Sequence, residues 1–523
     1  MHGSLELGSG ARQNARVKPA PSSASPSSKY DVAIVGLGPV GSTCAALLAQ
    51  AGLLVHVSDR RLHMPERPRI ITLDDDVLRV LQQINVLGAL RPHLRPSAAL
   101  EWYGVSGKLI RESKPLRSRT LLQSQLERVL LQHLSERRNV TVSLGRELTA
   151  LHSGEHHVQL EWGTRDSLCV PWLVACDGAE STVRSLLGIE LDPMGFDEPW
   201  LVVEATLKEQ ALAKLPRRNA LFCQPSRPCH YVVGPDNHRR WEFALQPGES
   251  SSVTDNSKRA RQLLSPFIDP DDAELRRVET HRFRCALAER FRAGRVFLAG
   301  DAAQVQPPFV EQGLSQGIRD VANLAWKLAA VRRKAVPGRT IETLLTSYNH
   351  ERRDHSHAML LRSKTLSAMF TERNLRKAIK RDGRLRAEPS LLFQAPTQSE
   401  WVPRVPAGLS GGDTTDARGK MFPQTSIVLG GGDVVPMDYH FGCGWRLVVD
   451  SQLHISGRIK GLVLLPIGAL GFTETDATLE SWMREHDCHA VLLRPDHHVY
   501  GTADTFSSLL ALIAEWKSTI RRS

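Results

Sequence analysis

A glycine-rich segment directly after a short apolar strand constrains this chain more than any other feature. Residues 30–35 (YDVAIV) are mostly apolar and rich in β-branched side chains, the sequence GLGPVG occupies 36–41, and a helix-like stretch covers 42–51. A second apolar strand, 53–58, ends at Asp59. This order of strand, glycine turn, helix and strand makes a βαβ unit of about 30 residues. It predicts an α/β fold built on a doubly wound sheet.

The glycines and the acid after the second strand indicate a dinucleotide site. Gly36 permits the tight turn, Gly38 lets the backbone approach a pyrophosphate, and Gly41 allows close packing of helix and sheet. Asp59 is placed to accept hydrogen bonds from a ribose diol, and its charge disfavours a 2′-phosphate. FAD or NAD is therefore expected at this site rather than NADP.

Two further segments, 174–184 and 295–303, also run from a strand into an acid-bearing turn. Their candidate cofactor-binding residues are Asp177, Gly178, Arg184, Gly300 and Asp301. A carboxylate at such a turn can accept hydrogen bonds from the hydroxyls of a ribityl chain. A helix is predicted from about 312 to 333, and the positive end of its dipole favours the negative charge of a reduced flavin.

The ordered motifs GxGxxG, DGxxSxVR and GDAA–PPF–QG closely resemble those of the class A FAD-dependent aromatic hydroxylases, especially the 3-(3-hydroxyphenyl)propionate and phenol hydroxylase-type enzymes. The resemblance covers residues 30–390 and extends to the C-terminal tail. It implies FAD as cofactor, NADH or NADPH as co-substrate, and hydroxylation of a small aromatic (phenolic) substrate by O₂ through a C4a-hydroperoxyflavin. It also implies that seven further residues bind the cofactor: Arg60, Arg69, Gln123, Pro307, Gly313, Leu314 and Ser315. No catalytic acid or base and no metal ligand is assigned.

The resemblance and the changes of composition along the chain also predict its organisation. A Rossmann-like FAD-binding domain is expected to carry an inserted antiparallel-sheet substrate domain, followed by a thioredoxin-like α/β domain without a CxxC pair. The predicted divisions are a disordered tail (1–29), the FAD-binding domain (30–199 and 285–390), the substrate domain (200–284), a linker (391–418) and the C-terminal domain (419–523).

Charge and cysteine usage narrow the class of protein further. Much of the net charge of +11 lies in residues 351–387, which contain eleven Arg or Lys and only four Asp or Glu. Without a nucleic-acid-binding motif, this stretch is interpreted as a solvated helical face, with a nucleic-acid or membrane-surface partner as the alternative. Eight cysteines without a CxxC pair favour a reducing compartment, so a cytoplasmic protein without bound nucleic acid is expected. No apolar run is long enough for a membrane-spanning helix. A homodimer is one possible assembly.

Two positions depart from the family pattern. Gln304 replaces a histidine, and Glu311 replaces a glycine in the loop expected beside the flavin. Glu311 would restrict the loop, repel a negatively charged reduced flavin, or point to solvent. The first two outcomes would leave a catalytically impaired flavin-binding protein. Epoxidation and Baeyer–Villiger oxidation remain the alternatives within flavin monooxygenase chemistry.

Overall fold

The computed structural model describes most of the chain between residues 28 and 520. The described ranges are 28–63, 69–113, 118–163, 166–249, 253–388, 402–405, 408–409, 415–429, 432–453, 455, 457–468 and 471–520. The predicted tail, apart from its last two residues, and most of the predicted linker lie outside the described residues.

Strands occur throughout the described residues. They are β1 (Val32–Val35), β2 (Val55–Asp59), β3 (Ile70–Asp74), β4 (Arg95–Pro96), β5 (Leu100–Tyr103), β6 (Leu109–Ser113), β7 (Ser118–Leu122), β8 (Val140–Leu144), β9 (Ala150–Ser153), β10 (Val158–Trp162), β11 (Asp166–Val170), β12 (Trp172–Ala175), β13 (Leu191–Leu207), β14 (Asn219–Phe222), β15 (Cys229–Val233), β16 (His238–Ala244), β17 (Ala273–Ala288), β18 (Arg292–Ala293), β19 (Val296–Leu298), β20 (Gln304–Val305), β21 (Ser426–Val428), β22 (Val434–Pro436), β23 (Arg446–Val449), β24 (Val463–Pro466), β25 (Thr473–Glu474), β26 (Ala490–Leu493) and β27 (Val499–Ala503).

Helices connect and cover these strands. They are α1 (Pro39–Gln50), α2 (Asp75–Gln83), α3 (Leu87–Leu90), α4 (Gln123–Ser135), α5 (Thr182–Leu186), α6 (Glu209–Leu212), α7 (Val253–Leu264), α8 (Gly313–Arg332), α9 (Gly338–Phe370), α10 (Leu375–Ala387), α11 (Met437–Phe441), α12 (Thr478–Glu485) and α13 (Phe506–Ile520). None of the described helices is both long and apolar enough to cross a membrane.

The predicted βαβ unit lies at the centre of a six-stranded sheet with the order β18-β19-β12-β1-β2-β8. All neighbours are parallel except β18 and β19. Every residue of β1 is buried, as expected for a parallel strand covered on both faces. α1 and α8 pack against each other on this sheet. The α/β fold and the long helix predicted over 312–333 are confirmed.

An eight-stranded sheet, β20-β17-β13-β16-β15-β14-β5-β6, packs beside the first. It is wider than the predicted insertion 200–284, because β5 and β6 join it and β13 begins at Leu191. The pairing of β14 with β5 is parallel, whereas the other pairings are antiparallel. One face of this sheet packs on α7 in an apolar core that includes Trp241, Phe243 and Leu264.

Smaller sheets complete the N-terminal part. The hairpins β9–β10–β11 form one of them, and β3, β7 and β4 form another with the order β3-β7-β4. α4 follows β7 directly and begins at Gln123. β3 and β7 pair with Ile70 opposite Leu122, the residue before Gln123, and Ile70 and Gln123 line the same cavity as the glycine-rich turn.

The C-terminal residues form a four-stranded sheet with the order β24-β23-β26-β27 and a three-stranded sheet with the order β22-β21-β25. β23 and β24 are parallel, while β26 is antiparallel to both of its neighbours. α13 covers the four-stranded sheet in a core that includes Leu447, Leu492 and Trp516.

Candidate cofactor and active site

A cavity of about 410 Å³ lies where the parallel strands end, between the two large sheets. Twelve of the sixteen predicted site residues line it: Gly36, Gly38, Asp59, Arg60, Arg69, Gln123, Asp177, Gly178, Asp301, Pro307, Gly313 and Leu314. The cavity thus joins motifs that lie up to about 280 residues apart in the chain. Gly41, Arg184, Gly300 and Ser315 do not line it.

The glycine-rich turn has the geometry that its sequence predicted. Gly36 has a φ of +102°, and a Cβ there would lie 2.3 Å from the carbonyl oxygen of Cys176. A Cβ at Gly41 would lie 1.9 Å from the Gly36 oxygen, so Gly41 is needed for packing. A Cβ at Gly38 would meet no atom within 4 Å, because this glycine borders the cavity. A pyrophosphate can therefore approach the backbone at Gly38.

Asp59 accepts hydrogen bonds from Leu37 and Arg61 that the sequence did not predict. Its Oδ2 accepts hydrogen bonds from the Leu37 amide (2.7 Å) and from Arg61 Nη2 (2.8 Å). Its Oδ1 accepts from the Arg61 amide and Nε, both at 2.9 Å. Burial raises the pKa of Asp59, but these hydrogen bonds outweigh it, and the pKa lies below its ordinary value. Asp59 is thus ionised, and Arg61 shares the carboxylate with any ribose that binds there.

The second motif is organised as a helix cap. Asp177 accepts hydrogen bonds from Ser181 Oγ (2.6 Å) and from the Val183 amide (3.0 Å), and Ser181 caps α5. Arg184 donates to the carbonyl oxygens of Ala302 (3.0 Å) and Ala179 (2.8 Å). Arg184 therefore ties this turn to the Gly300 turn from behind the cavity, although it was predicted as a cofactor-binding residue.

The third motif, around Gly300, is likewise fixed from behind. Gly300 has a φ of +63°, and its amide donates to Asp320 Oδ2 at 3.0 Å. Gln304, the first departure from the family pattern, is buried and donates to the same Asp320 oxygen at 3.4 Å. Arg352 Nε donates to the other oxygen at 2.8 Å. Gln304 thus belongs to the support of the turn, while Asp301 is exposed in the cavity wall.

The loop before α8 is anchored by a buried ion cluster. Arg319 donates to Asp74 Oδ2 and to Asp76 Oδ2, both at 2.6 Å, and to Gln312 Oε1 at 3.0 Å. Gln312 in turn donates to Asp74 at 3.1 Å. α8 begins at Gly313, in the cavity wall, so the first-turn amides of α8, which have no partner within the helix, lie beside the cavity. This arrangement suits the negative charge of a reduced flavin.

Glu311 is turned toward the protein and does not project into solvent. Thr72 Oγ1 donates to Glu311 Oε2 at 2.5 Å, and Arg240 Nη2 lies 3.6 Å from Oε1. The backbone of Glu311 has a φ of +51°, a conformation that favours glycine. Glu311 therefore ties the loop to β3 through Thr72 and lies near Arg240 of β16, whose closer carboxylate partner is Glu242 at 3.1 Å. Of the three outcomes expected from the sequence, the restriction of the loop agrees with this geometry.

An aromatic cluster backs the same loop. The ring centroid of Phe309 lies 4.9 Å from those of Trp200 and Phe370, and 5.8 Å from those of Phe283 and His230. Phe309 and Trp200 are buried. The cluster packs against the loop on the side of the eight-stranded sheet. Its residues lie far apart in the chain, so the sequence did not predict that they are in contact.

The cavity region fits a flavin by its unsatisfied polar atoms. Buried atoms of wall residues without a hydrogen-bond partner in the described chain include both amide atoms of Gln306 and Glu311 Oε1. The pyrimidine edge of an isoalloxazine offers N–H and C=O groups that match such donors and acceptors. Arg69 is exposed in the cavity wall and carries a positive charge near Asp301.

Several wall residues were not predicted to lie at the site: Arg61, Glu127, Arg146, Thr182, Arg240 and Gln306. Arg61 and Gln306 are direct neighbours of predicted residues, so their positions gave a usable signal. Arg240 lies on a strand of the other sheet, and no sequence pattern placed it here.

One group of potential metal ligands occurs among the described residues, in the C-terminal part. Ligand atoms of Asp438, Cys443 and His497 lie within 4.8 Å of one another. Arg79 of α2 and Arg446 of β23 both donate to the Asp438 carboxylate. Burial raises the pKa of Cys443 to about 11, so its thiol is protonated. The Asp438 carboxylate is therefore bound by two guanidinium groups, and these residues form an ion-pair cluster between α2 and the C-terminal strands.

Comparison with known proteins decides the family. The sequence profile described as "FAD binding domain" matches residues 29–363, more than half of the chain. The chain belongs to this FAD-binding family. This match confirms two predictions, that the protein is an FAD-dependent oxidoreductase and that FAD is its cofactor. The resemblance to the class A aromatic hydroxylases is also confirmed.

This chain is similar to curated proteins over most of its length. It is 30% identical over 518 residues to the 3-(3-hydroxy-phenyl)propionate/3-hydroxycinnamic acid hydroxylase of Escherichia coli (strain SMS-3-5 / SECEC), covering 90% of this chain and 91% of the relative. The protein of the same name from Shigella sonnei (strain Ss046) has the same identity and coverage.

Solved structures of other proteins share the fold of this chain. The flavin-dependent monooxygenase PieE, in complex with FAD and substrate, matches with a TM-score of 0.79 and 19% identity, covering 95% of this chain and 100% of PieE. Aklavinone-11 hydroxylase, in a ternary complex with FAD and aklavinone, matches with a TM-score of 0.76, 20% identity and the same coverage. At these identities the likeness concerns the fold.

Proposed function

We propose that this protein is an NAD(P)H-dependent monooxygenase that uses FAD and O₂ to hydroxylate a small phenolic ring. The observation that carries the proposal is the continuity of the cavity, which runs from the glycine-rich turn and Asp59 to the loop of Pro307 and Glu311. The names of the curated relatives, which are hydroxylases of phenolic acids, support the same reaction.

The proposed roles of the wall residues follow from their positions. Gly36 and Gly38 admit the pyrophosphate, and Asp59 binds the adenosine ribose in exchange with Arg61. Asp301 accepts from the ribityl chain, while Gly313 and Leu314 present first-turn amides of α8 to the pyrimidine edge. When bound, FAD accepts a hydride from the nicotinamide and activates O₂.

The remaining part of the site positions the ring. The loop at Pro307 and Pro308 separates the cofactor end of the cavity from the eight-stranded sheet, whose Arg240 lines the wall. The aromatic cluster around Phe309 keeps this region dry, which protects reactive oxygen chemistry from water. We place the substrate between this loop and the sheet.

We also propose a thioredoxin-like arrangement for the C-terminal domain. The order β24-β23-β26-β27, with β26 antiparallel to its neighbours, supports it. The domain carries no CxxC pair, so its proposed role is packing against α8 and α9. The free cysteines among the described residues support a cytoplasmic location.

The experiment is an anaerobic titration of the FAD-loaded protein with NADH and with NADPH, each with and without a panel of phenols, followed by admission of air. The expected result is bleaching of the flavin by one nucleotide, faster with a phenol that binds, and a product heavier by one oxygen atom. Bleaching and reoxidation that release only H₂O₂ with every phenol would contradict hydroxylation. A flavin that never bleaches would favour a catalytically impaired flavin-binding protein.

A further inference from the structure

The helix α10 presents a positively charged face that no described residue neutralises. Five of its cationic side chains are exposed and form no ion pair with any part of the chain that the structure describes: Arg376, Lys377, Lys380, Arg384 and Arg386. The one acid within the helix, Asp382, is buried and paired with Arg381. The positive charge of this segment therefore faces solvent.

Two large apolar side chains are exposed on the same helix. Leu375 is 56% exposed and Ile379 is 57% exposed. They are four residues apart, so they lie one turn above the other on one side of the helix. Exposed leucine and isoleucine beside lysine and arginine are typical of helices that lie in a bilayer surface.

The helix is held rigidly, so this face has a fixed orientation. Asn374 caps the helix by accepting a hydrogen bond from the Lys377 amide at 3.1 Å. On the buried side, Arg381 donates to the Cys223 carbonyl at 2.9 Å, and Asp382 accepts from the Val105 amide at 2.7 Å. These contacts fasten α10 to the end of the eight-stranded sheet near β5 and β14.

We propose that α10 docks on a membrane surface that contains anionic phospholipids, with the cations at the headgroups and Leu375 and Ile379 inserted among the upper acyl chains. Charge complementarity selects an anionic surface, because the five cations have no acidic partner among the described residues. The apolar pair selects a bilayer over a nucleic acid, since a phosphate backbone offers these side chains no apolar environment. This inference is independent of the proposed reaction.

The test is co-sedimentation of the full-length FAD-loaded protein with vesicles of phosphatidylcholine alone or with 30 mol% phosphatidylserine, at low and high NaCl (about 0.05 and 0.5 M). We expect at least about tenfold tighter binding to the anionic vesicles, lost at high salt. The variant K377E/K380E should lose about tenfold or more in partitioning. L375S/I379S should lose a similar factor while keeping its net charge.

The matched control is R290E/R339E, which changes the net charge by the same amount. Both residues are exposed, neither forms an ion pair with a described residue, and Arg339 lies at the opposite end of α9 from α10. The control should retain most of the binding. Flavin absorbance and thermal unfolding of each variant establish that the protein is folded.

Five results would overturn the proposal. The wild-type protein could fail to prefer anionic vesicles, or R290E/R339E could weaken binding as much as K377E/K380E, which would mean a general effect of net charge. L375S/I379S could bind as well as the wild type, which would exclude insertion. Duplex DNA could compete fully with the vesicles, and this face would then bind a nucleic acid. Finally, L375S/I379S could convert a wild-type dimer into a monomer, and this face would then bind a second copy of the chain.

Discussion

Arg494, after β26 of the C-terminal domain, and Glu351, in the middle of α9, form a two-pronged buried ion pair. Arg494 Nη1 donates to Oε1 at 2.9 Å and Nη2 donates to Oε2 at 2.7 Å, and each side chain is at most 2% exposed. Lys327 of α8 also donates to Glu351 Oε2, at 2.8 Å. The pair therefore couples the C-terminal strands to α8 and α9, and α8 follows directly on the loop beside the cavity.

Replacing Arg494 with Met should destabilise the protein by about 3 kcal/mol or more, because Glu351 and Asp496 would lose their buried guanidinium partner. The matched change is Arg404→Met, since Arg404 and Asp416 form an exposed pair at 3.2 Å. It should cost less than about 1 kcal/mol. Urea unfolding followed by tryptophan fluorescence compares the two, and equal losses would contradict the role of burial.

Stability should fall as the pH falls from about 4.5 toward 2. Burial alone would raise the pKa of Glu351, but Arg494 and Lys327 outweigh it and lower the pKa to about 2. A carboxyl group with a depressed pKa stabilises the fold above its unfolded pKa, and this contribution is lost as the group becomes protonated. The loss from Glu351 is about 3 kcal/mol. Urea midpoints at several pH values measure it, and Glu351→Gln should flatten this part of the profile.

Two glycines of the same turn should respond differently to alanine. Gly41→Ala should destabilise the protein, since the new Cβ would lie 1.9 Å from the Gly36 oxygen. Gly38→Ala should leave unfolding unchanged and weaken FAD binding by about tenfold or more, because its Cβ enters only the cavity. Thermal unfolding of the apoprotein and FAD titration separate the two effects. A destabilised Gly38→Ala protein would show that this glycine is also needed for packing.

Asp59→Asn should weaken FAD binding by about 10-fold to 100-fold, because a charged acceptor for the ribose diol is lost. The companion change is Arg61→Met, which removes the side chain that shares the carboxylate. It should leave FAD bound as tightly or more tightly. Equilibrium titration of the apoprotein by flavin fluorescence tests both. Weaker binding by Arg61→Met than by Asp59→Asn would show that Arg61 itself contacts the cofactor.

The charges of Glu311 and Arg240 should act on the bound flavin in opposite directions. Glu311→Gln removes a negative charge from the cavity wall and should raise the two-electron reduction potential, whereas Arg240→Gln should lower it. About 30 mV is expected for each, equivalent to about 1.4 kcal/mol. Spectroelectrochemical titration measures the shift, with Arg290→Gln as an exposed control. Unchanged potentials would show that the pair lies too far from the isoalloxazine to influence it.

Local sequence patterns predicted the nucleotide half of this molecule well. The turn at Gly36, the strand ending at Asp59 and the helix starting at Gly313 depend on neighbouring residues, and each lies where its pattern placed it. The contacts of Arg240 and Phe309 were not predictable, because they join strands and loops far apart in the chain. The parallel pairing of β5 with β14 is a similar case.

Side-chain partners were the least predictable feature of the site. Arg184 follows its motif correctly, yet it supports the Ala302 carbonyl from behind the cavity. The sequence left three outcomes open for Glu311, and the nearby guanidinium of Arg240, 3.6 Å from its carboxylate, comes from another sheet. A motif specifies which backbone lies near a ligand, whereas the direction of a charged side chain depends on the complete set of its neighbours.

The long helix α9 also shows where this chain cannot be divided. The match to the FAD-binding family profile ends at residue 363, inside a helix that continues to Phe370, whose ring supports Phe309. A fragment cut there would leave Glu351 and Lys327 without Arg494 and would remove an aromatic wall of the loop. The part of the chain that the profile covers therefore lacks a buried ion-pair partner that the complete chain supplies, and the C-terminal strands help, through Arg494, to support the helices beside the cavity.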